Sequence, residues 1–144
     1  MQYDSGAKVF LIDNSFTGQK YLDCLLNNLH STNSEISNLV FMQDNCSIHR
    51  IDEVIAFFQS ENWQVLNHPP DSPDLNPLEN VWHLASRQLN KYLLTNFINT
   101  PAELFEVVKG FIEAIPVSMI NHLINGMTNR ISEVRRLEGG HTKY

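Results

Sequence analysis

Three short apolar runs punctuate the first half of the chain, at residues 8–13 (KVFLID), 39–42 and 63–66, and the stretches between them carry apolar residues at helical spacing. A few apolar, β-branched residues bounded by turn formers read as a strand, whereas repeats every three and four residues read as one face of a helix. Residues 8–13 lead into Asn14 and Ser15, so the first strand leaves into a loop. Tyr21, Leu22, Leu25, Leu26 and Leu29 then mark a helix over 17–29, and residues 31–37 form a polar connection. Val54, Ile55, Phe57 and Phe58 mark a second helix over 51–61. The order strand, helix, strand, helix, strand predicts an α/β domain with neighbouring parallel strands.

After His68-Pro69-Pro70 the pattern changes to a Pro-, Asp- and Asn-rich loop through Pro77, followed by an amphipathic helix with Leu78, Val81, Trp82, Ala85, Leu89 and Tyr92. Trp82, one turn into this helix, is expected to anchor it in the core. The remainder reads as helical: Thr100-Pro101-Ala102-Glu103 is a capping box with Pro at the first helical position, Pro116 separates that helix from the next, and Gly139-Gly140 ends the last. A chain of 144 residues with 42% hydrophobic content is long enough for one unit with its own core. Cys24 and Cys46 are too few for a disulfide framework and lack metal-ligand spacing, which predicts free thiols in a reducing, intracellular compartment. The apolar run near the start is far too short for a signal peptide or membrane span, so no membrane partner is expected.

Charge is unevenly distributed. The net charge of −6 speaks against a surface that binds nucleic acid all over, but residues 1–79 hold three bases against eleven acids and residues 80–144 hold seven bases against five. Any DNA contact is therefore expected in the second half. The plainer reading of Arg130, Arg135, Arg136 and Lys143 is that they solvate the last helix and its tail.

Two carboxylates stand where chemistry can use them: Asp44 at the end of the second strand, and Glu79 in the first turn of the helix after the third. Sites in open α/β sheets form at the carboxyl ends of strands. Paired divalent cations in phosphoryl transfer need hard oxygen ligands of this kind. Each acid also has a local explanation. Asn76-Pro77-Leu78-Glu79 is a helix start in its own right, matched by Thr100-Pro101-Ala102-Glu103 where no chemistry is proposed, and an Asp at a strand end commonly closes a turn.

In combination the segments say more. Gln43-Asp44-Asn45 with His49 four residues on, then Ser72-Pro73-Asp74-Leu75-Asn76-Pro77-Leu78-Glu79-Asn80-Val81-Trp82, resemble the segments around the second and third catalytic acids of mariner-superfamily transposases. The branch resembled has its last Asp and Glu separated by 34 residues, as Asp44 and Glu79 are. Lys20-Tyr21-Leu22-Asp23 resembles the family's preceding helix, and Gly139-Gly140-His141-Thr142-Lys143-Tyr144 a common family ending.

The resemblance implies a ribonuclease-H-like α/β fold and cut-and-paste DNA transposition with Mg²⁺ or Mn²⁺. It makes Asp44 and Glu79 catalytic metal ligands, and gives Asn45, His49 and Asn76 positioning roles. It divides the chain into residues 1–95, a partial catalytic domain, and 96–144, its C-terminal helical extension. The implied partners are transposon-end and target DNA, and a second copy or a full-length transposase; the implied location is the nucleus.

The family's first catalytic Asp lies upstream of KVFLID, so the triad and the first strands of the fold are expected to be missing, leaving the chain inactive and marginally stable by itself, with the strand over 39–44 exposing an edge. Asp4, before any strand, and Asp13, in a turn, are not expected to replace that Asp. The alternatives to a piece of an active transposase are a silent or domesticated remnant that acts by binding DNA or pairing with a full-length enzyme, and an unrelated metal-dependent nuclease.

Overall fold

Residues 1–12, 15–29, 40–140 and 142–144 are described by a computed structural model. They form eight regular elements: α1 (Gly18–Asn28), β1 (Val40–Phe41), α2 (Asp52–Ser60), β2 (Gln64–Val65), α3 (Leu78–Tyr92), α4 (Pro101–Glu113), α5 (Val117–Asn125) and α6 (Met127–Arg136). Short 3₁₀ turns at Ser47–Arg50 and Pro73–Leu75 precede α2 and α3. The polar connection over 31–37, Asp13 and His141 lie outside the described residues.

The chain groups into two compact units. One comprises Ile12–Ser72; the other joins Met1–Leu11 to Pro73–Tyr144. The boundary expected at residue 95 falls inside the second, between α3 and α4, which pack on each other with Tyr92 and Phe111 edge-to-face at 6.0 Å.

In the first unit, Thr17 caps α1 through a bond from Lys20 N to its side-chain oxygen, and the apolar face of the helix meets α2. Leu25, Val54, Phe57, Phe58 and Trp63 form a buried cluster, with Tyr21, Leu22 and Phe41 packed around it. β1 and β2 pair in parallel, Val40 opposite Gln64 and Phe41 opposite Val65, and Leu66 N extends the ladder to Phe41 O at 2.8 Å. The strand, helix, strand segment read from residues 39–66 is thus present, with α2 as the crossover.

The first expected strand does not form over its described residues, 8–12. A strand exists only through a ladder partner, and the sheet among the described residues has two strands, β1 and β2. Phe10 and Leu11 are exposed, while Ala7 and Val9 pack into the core of the second unit.

That second core consists of Ala7, Val81, Ala85, Ile112 and Ile120. Val81 and Ala85 are one turn apart on α3, as the helical period requires. α4 opens at the cap predicted: Thr100 Oγ1 accepts from Glu103 N at 3.1 Å, while Glu103 Oε2 reaches one residue further back than a capping box requires and accepts from Asn99 N at 2.8 Å. No single helix among the described residues is long and apolar enough to cross a membrane.

Candidate functional site

Asp44 lies three residues beyond β1. Its Oδ1 accepts from Cys46 N at 3.0 Å, the Asx turn that an Asp at a strand end commonly makes, and His49 Nδ1 stands 2.8 Å from the same oxygen. Both contacts fall on Oδ1, and the Asp44 side chain is 67% exposed against 14% for His49. His49 Nδ1 also lies 3.3 Å from the Asp44 carbonyl, so the tautomer with a proton on Nδ1 donates towards Asp44 with either geometry.

The imidazole is held from behind by α1. Tyr21 packs against it at 4.3 Å between ring centres and donates from its hydroxyl to Gln43 Oε1 at 2.6 Å, while Gln43 Nε2 donates to the His49 carbonyl at 3.4 Å. Burial, and then the negative charges of Cys24 and Asp44, push the Tyr21 phenol well above its ordinary range, which keeps it protonated and donating. Asn45 reaches the other way: its Nδ2 donates to His68 O at 2.6 Å, tying the loop after β1 to the loop after β2. Asn45 and His49 thus each make a bond beside Asp44, the first to the loop after β2 and the second to Asp44 itself.

Glu79 lies in the first turn of α3 and is exposed. Asn76 Oδ1 accepts from Leu78 N at 3.1 Å, and Asn76 Nδ2 donates to Glu79 Oε1 at 3.3 Å, so Asn76 both caps the helix and steers the Glu79 side chain. The local explanation of each acid is thus physically realised, and it leaves both carboxylates facing solvent. Asp44 belongs to the first compact unit and Glu79 to the second.

Hard carboxylate oxygens suit Mg²⁺ or Mn²⁺, and Asp44 and Glu79 are exposed donors of that type. Among the described residues no group of three or more His, Cys, Asp or Glu side chains is gathered to hold a metal.

Two expectations need correcting. Trp82 is 43% exposed, because the inward stripe of α3 runs through Val81 and Ala85; Trp63, at 8%, is the buried tryptophan. Arg130 is not part of a solvated basic face but 4% exposed, its guanidinium turned into the protein. Asp4 holds Asn121 through two bonds, its backbone N donating to Asn121 Oδ1 at 2.9 Å and its Oδ1 accepting from Asn121 Nδ2 at 2.6 Å. It is a turn residue at positive φ.

A strand-end Asp and a helix-start Glu, borne on this framework, define a class. Residues 1–99 match the family model of the DDE superfamily endonucleases, and the chain belongs to that family. Its relatives are transposases of the Tc1 and mariner kind: it is 36% identical over 105 residues to the Tc1 transposase of Caenorhabditis elegans, covering 73% of this chain and 37% of that protein. With the Tc3 transposase of the same organism it shares 31% identity over 104 residues, 72% of this chain and 31% of that one. The chain thus spans about a third of the length of these relatives.

Among solved structures, the Mos1 transposase catalytic domain with Raltegravir and Mn aligns with a TM-score of 0.70 at 16% identity, over 91% of this chain and 68% of that one. The Mos1 strand transfer complex aligns at 0.73 and 18%, over 90% and 38%. The fold is therefore of the ribonuclease-H-like kind seen in the Mos1 catalytic domain.

Tyr21 and Gln43 are the residues near the site whose roles the sequence did not disclose. Tyr21 reads as one more apolar position on a helical face, and only the packing of α1 on the turn before α2 shows that it carries His49.

Proposed function

We propose that the chain is part of a cut-and-paste DNA transposase of the Tc1/mariner type, in which Asp44 and Glu79 are catalytic ligands for Mg²⁺ or Mn²⁺. The observation that carries this reading is the placement of two exposed carboxylates with 34 residues between them, one just beyond a parallel strand and one in a helix's first turn. Both lie within the segment that matches the endonuclease family. Held by Asp44 and Glu79, divalent ions would supply the Lewis acidity that lowers the cost of activating a water or a DNA 3′-hydroxyl and of carrying charge on the leaving oxygen. The chain's own residues do the rest: His49 and Cys46 N fix the Asp44 carboxylate through Oδ1, Asn76 fixes Glu79 through Oε1, and Asn45 fixes the backbone between the two strand-end loops. The substrates on this reading are transposon-end and target DNA, met in the nucleus by an oligomer of the complete enzyme, which supplies the third acid.

Titrating the 144-residue chain with Mn²⁺, followed by electron paramagnetic resonance, tests this. Asp44→Ala and Glu79→Ala are each expected to weaken binding at least about tenfold. Glu103→Ala, which alters the equivalent helix start of α4, is expected to leave it unchanged. Equal binding by all three variants would sink the assignment. Supercoiled plasmid is expected to stay uncut by the chain alone with Mn²⁺.

A further inference from the structure

Arg130 is the one buried charged side chain among the described residues. No carboxylate forms an ion pair with it there. A buried guanidinium is costly unless its charge and its N–H groups are met, so its surroundings ought to reveal what it is for. From α6, Nη1 donates to the Asp74 carbonyl at 2.7 Å and Nη2 donates to Asn80 Oδ1. Nε has no partner. The face of the guanidinium is covered by Tyr144, whose ring centre lies 4.7 Å from Cζ.

Tyr144 is itself brought there by the segment after α6. Thr142 Oγ1 donates to Asp74 Oδ2 at 2.9 Å, and Tyr144 N donates back to Thr142 Oγ1 at 3.3 Å. Residues 142–144 thus land on the Pro-Asp-Leu turn through Asp74 and on α6 through Arg130.

The two acceptors of the guanidinium bracket a short stretch. Asp74 lies in the 3₁₀ turn before α3, Asn80 directly follows Glu79, and between them are Leu75, Asn76, Pro77, Leu78 and Glu79. Arg130 fixes both ends, and Asn76 fixes the middle through its bonds to Leu78 and Glu79. A planar fork holds its two acceptors from two different nitrogens in a fixed geometry, whereas a lysine offers its donors from one rotatable nitrogen.

We infer that Arg130 and Tyr144 form a clamp that positions Glu79, and that this is the work of the Gly-Gly-His-Thr-Lys-Tyr ending. The clamp acts on Glu79 through the loop, so both are positioning residues; the functional consequence rests on the reading of Glu79 as a metal ligand. Tyr144 supplies the guanidinium with an electron-rich face where no carboxylate does.

The test uses the ¹⁵N-labelled 144-residue chain with Tyr144→Ala, Tyr144→Phe and Arg130→Lys. Amide exchange reads the clamp. Tyr144→Ala is expected to speed exchange of the Leu78 and Glu79 amides about tenfold or more while leaving α5, in the same unit, unchanged; Tyr144→Phe keeps the ring and should behave as the unaltered chain. Unchanged exchange at Leu78 and Glu79, or an equal rise in α5, overturns the clamp.

Mn²⁺ line broadening reads the consequence. Tyr144→Ala is expected to weaken it about tenfold at Glu79 but not at Asp44, with rescue in Tyr144→Phe. Broadening at Glu79 that survives a loosened loop overturns the positioning role. Absence of broadening at both acids in the unaltered chain defeats the metal reading instead, and the exchange arm still decides the clamp. Arg130→Lys is expected to match Tyr144→Ala; if it does not fold, the Tyr144 pair decides alone.

Discussion

Tyr21 carries the most strongly perturbed titration near Asp44, and its sign fixes a prediction at the scale of one residue. Burial first, then the charges of Cys24 and Asp44, raise its pKa above the ordinary 10.0. In the unfolded chain the phenol loses its proton near the ordinary value, while in the folded chain it keeps it, so above that pH the unfolded state binds fewer protons. The stability that Tyr21 contributes is therefore complete below about pH 10 and is lost as pH rises from there towards the raised folded value. Thermal melts between pH 8 and pH 11 should show a fall in the melting temperature that is visibly shallower in Tyr21→Phe. Because that variant also loses the bond to Gln43, a constant offset of about 1 kcal/mol is expected beneath the change in slope. Parallel curves for the two proteins would mean that the phenol is not held protonated by its surroundings.

At the scale of elements, α1 depends on one close approach. Gly18 opens the helix against Ile51, and a Cβ added there would meet Ile51 Cδ1 at 2.7 Å and Cγ2 at 2.9 Å. Ile51 cannot easily retreat: it is stiff at its branched Cβ, and its carbonyl accepts from Val54 N and Ile55 N at the start of α2. Gly18→Ala gains up to about 1 kcal/mol of helix propensity but incurs about 1–3 kcal/mol of overpacking, so a net loss of about 1 kcal/mol and a lower melting temperature are expected. Adding Ile51→Val should recover part of the loss; a Gly18→Ala chain that melts higher would show that the approach is looser than drawn. The helices themselves were legible because their signals are local. Thr100 caps where the pattern places it, and α1 spans Gly18–Asn28 within the helix expected over 17–29. The run at 8–12 was not, since a strand needs a partner that local sequence does not name. Arg130 was misread for a related reason: its acceptors Asp74 and Asn80 lie 56 and 50 residues away, and a lone arginine on a polar helix looks the same whether it points out or in. The two candidate acids are legible from their spacing and surrounding motif, while the contacts around them, through Tyr21 and Arg130, are long-range packing.

For the molecule as a whole, the physical point is that each acid rests on a different core. Asp44 follows a strand whose Phe41 packs against Leu25, Val54, Phe57, Phe58 and Trp63, whereas Glu79 opens a helix whose Val81 and Ala85 pack with Ile112 and Ile120. The two clusters share no residue, so stability lost in one is expected to be read first by the acid it supports. Val54→Ala removes buried volume from a fully enclosed site and should cost about 2 kcal/mol; Ile112→Val is gentler, at about 0.5–1.5 kcal/mol. Amide exchange then separates the two effects. Val54→Ala should speed exchange in α1 and α2, and at Cys46, whose N–H is bonded to Asp44. Ile112→Val should act on α3, α4 and α5, and on the Leu78 amide that Asn76 caps. If Val54→Ala instead loosened α4 and α5 as much as α1 and α2, the units would unfold as one. Single-site lesions would then perturb Asp44 and Glu79 together, and a variant distant from both acids would weaken Mn²⁺ binding at each by the same factor.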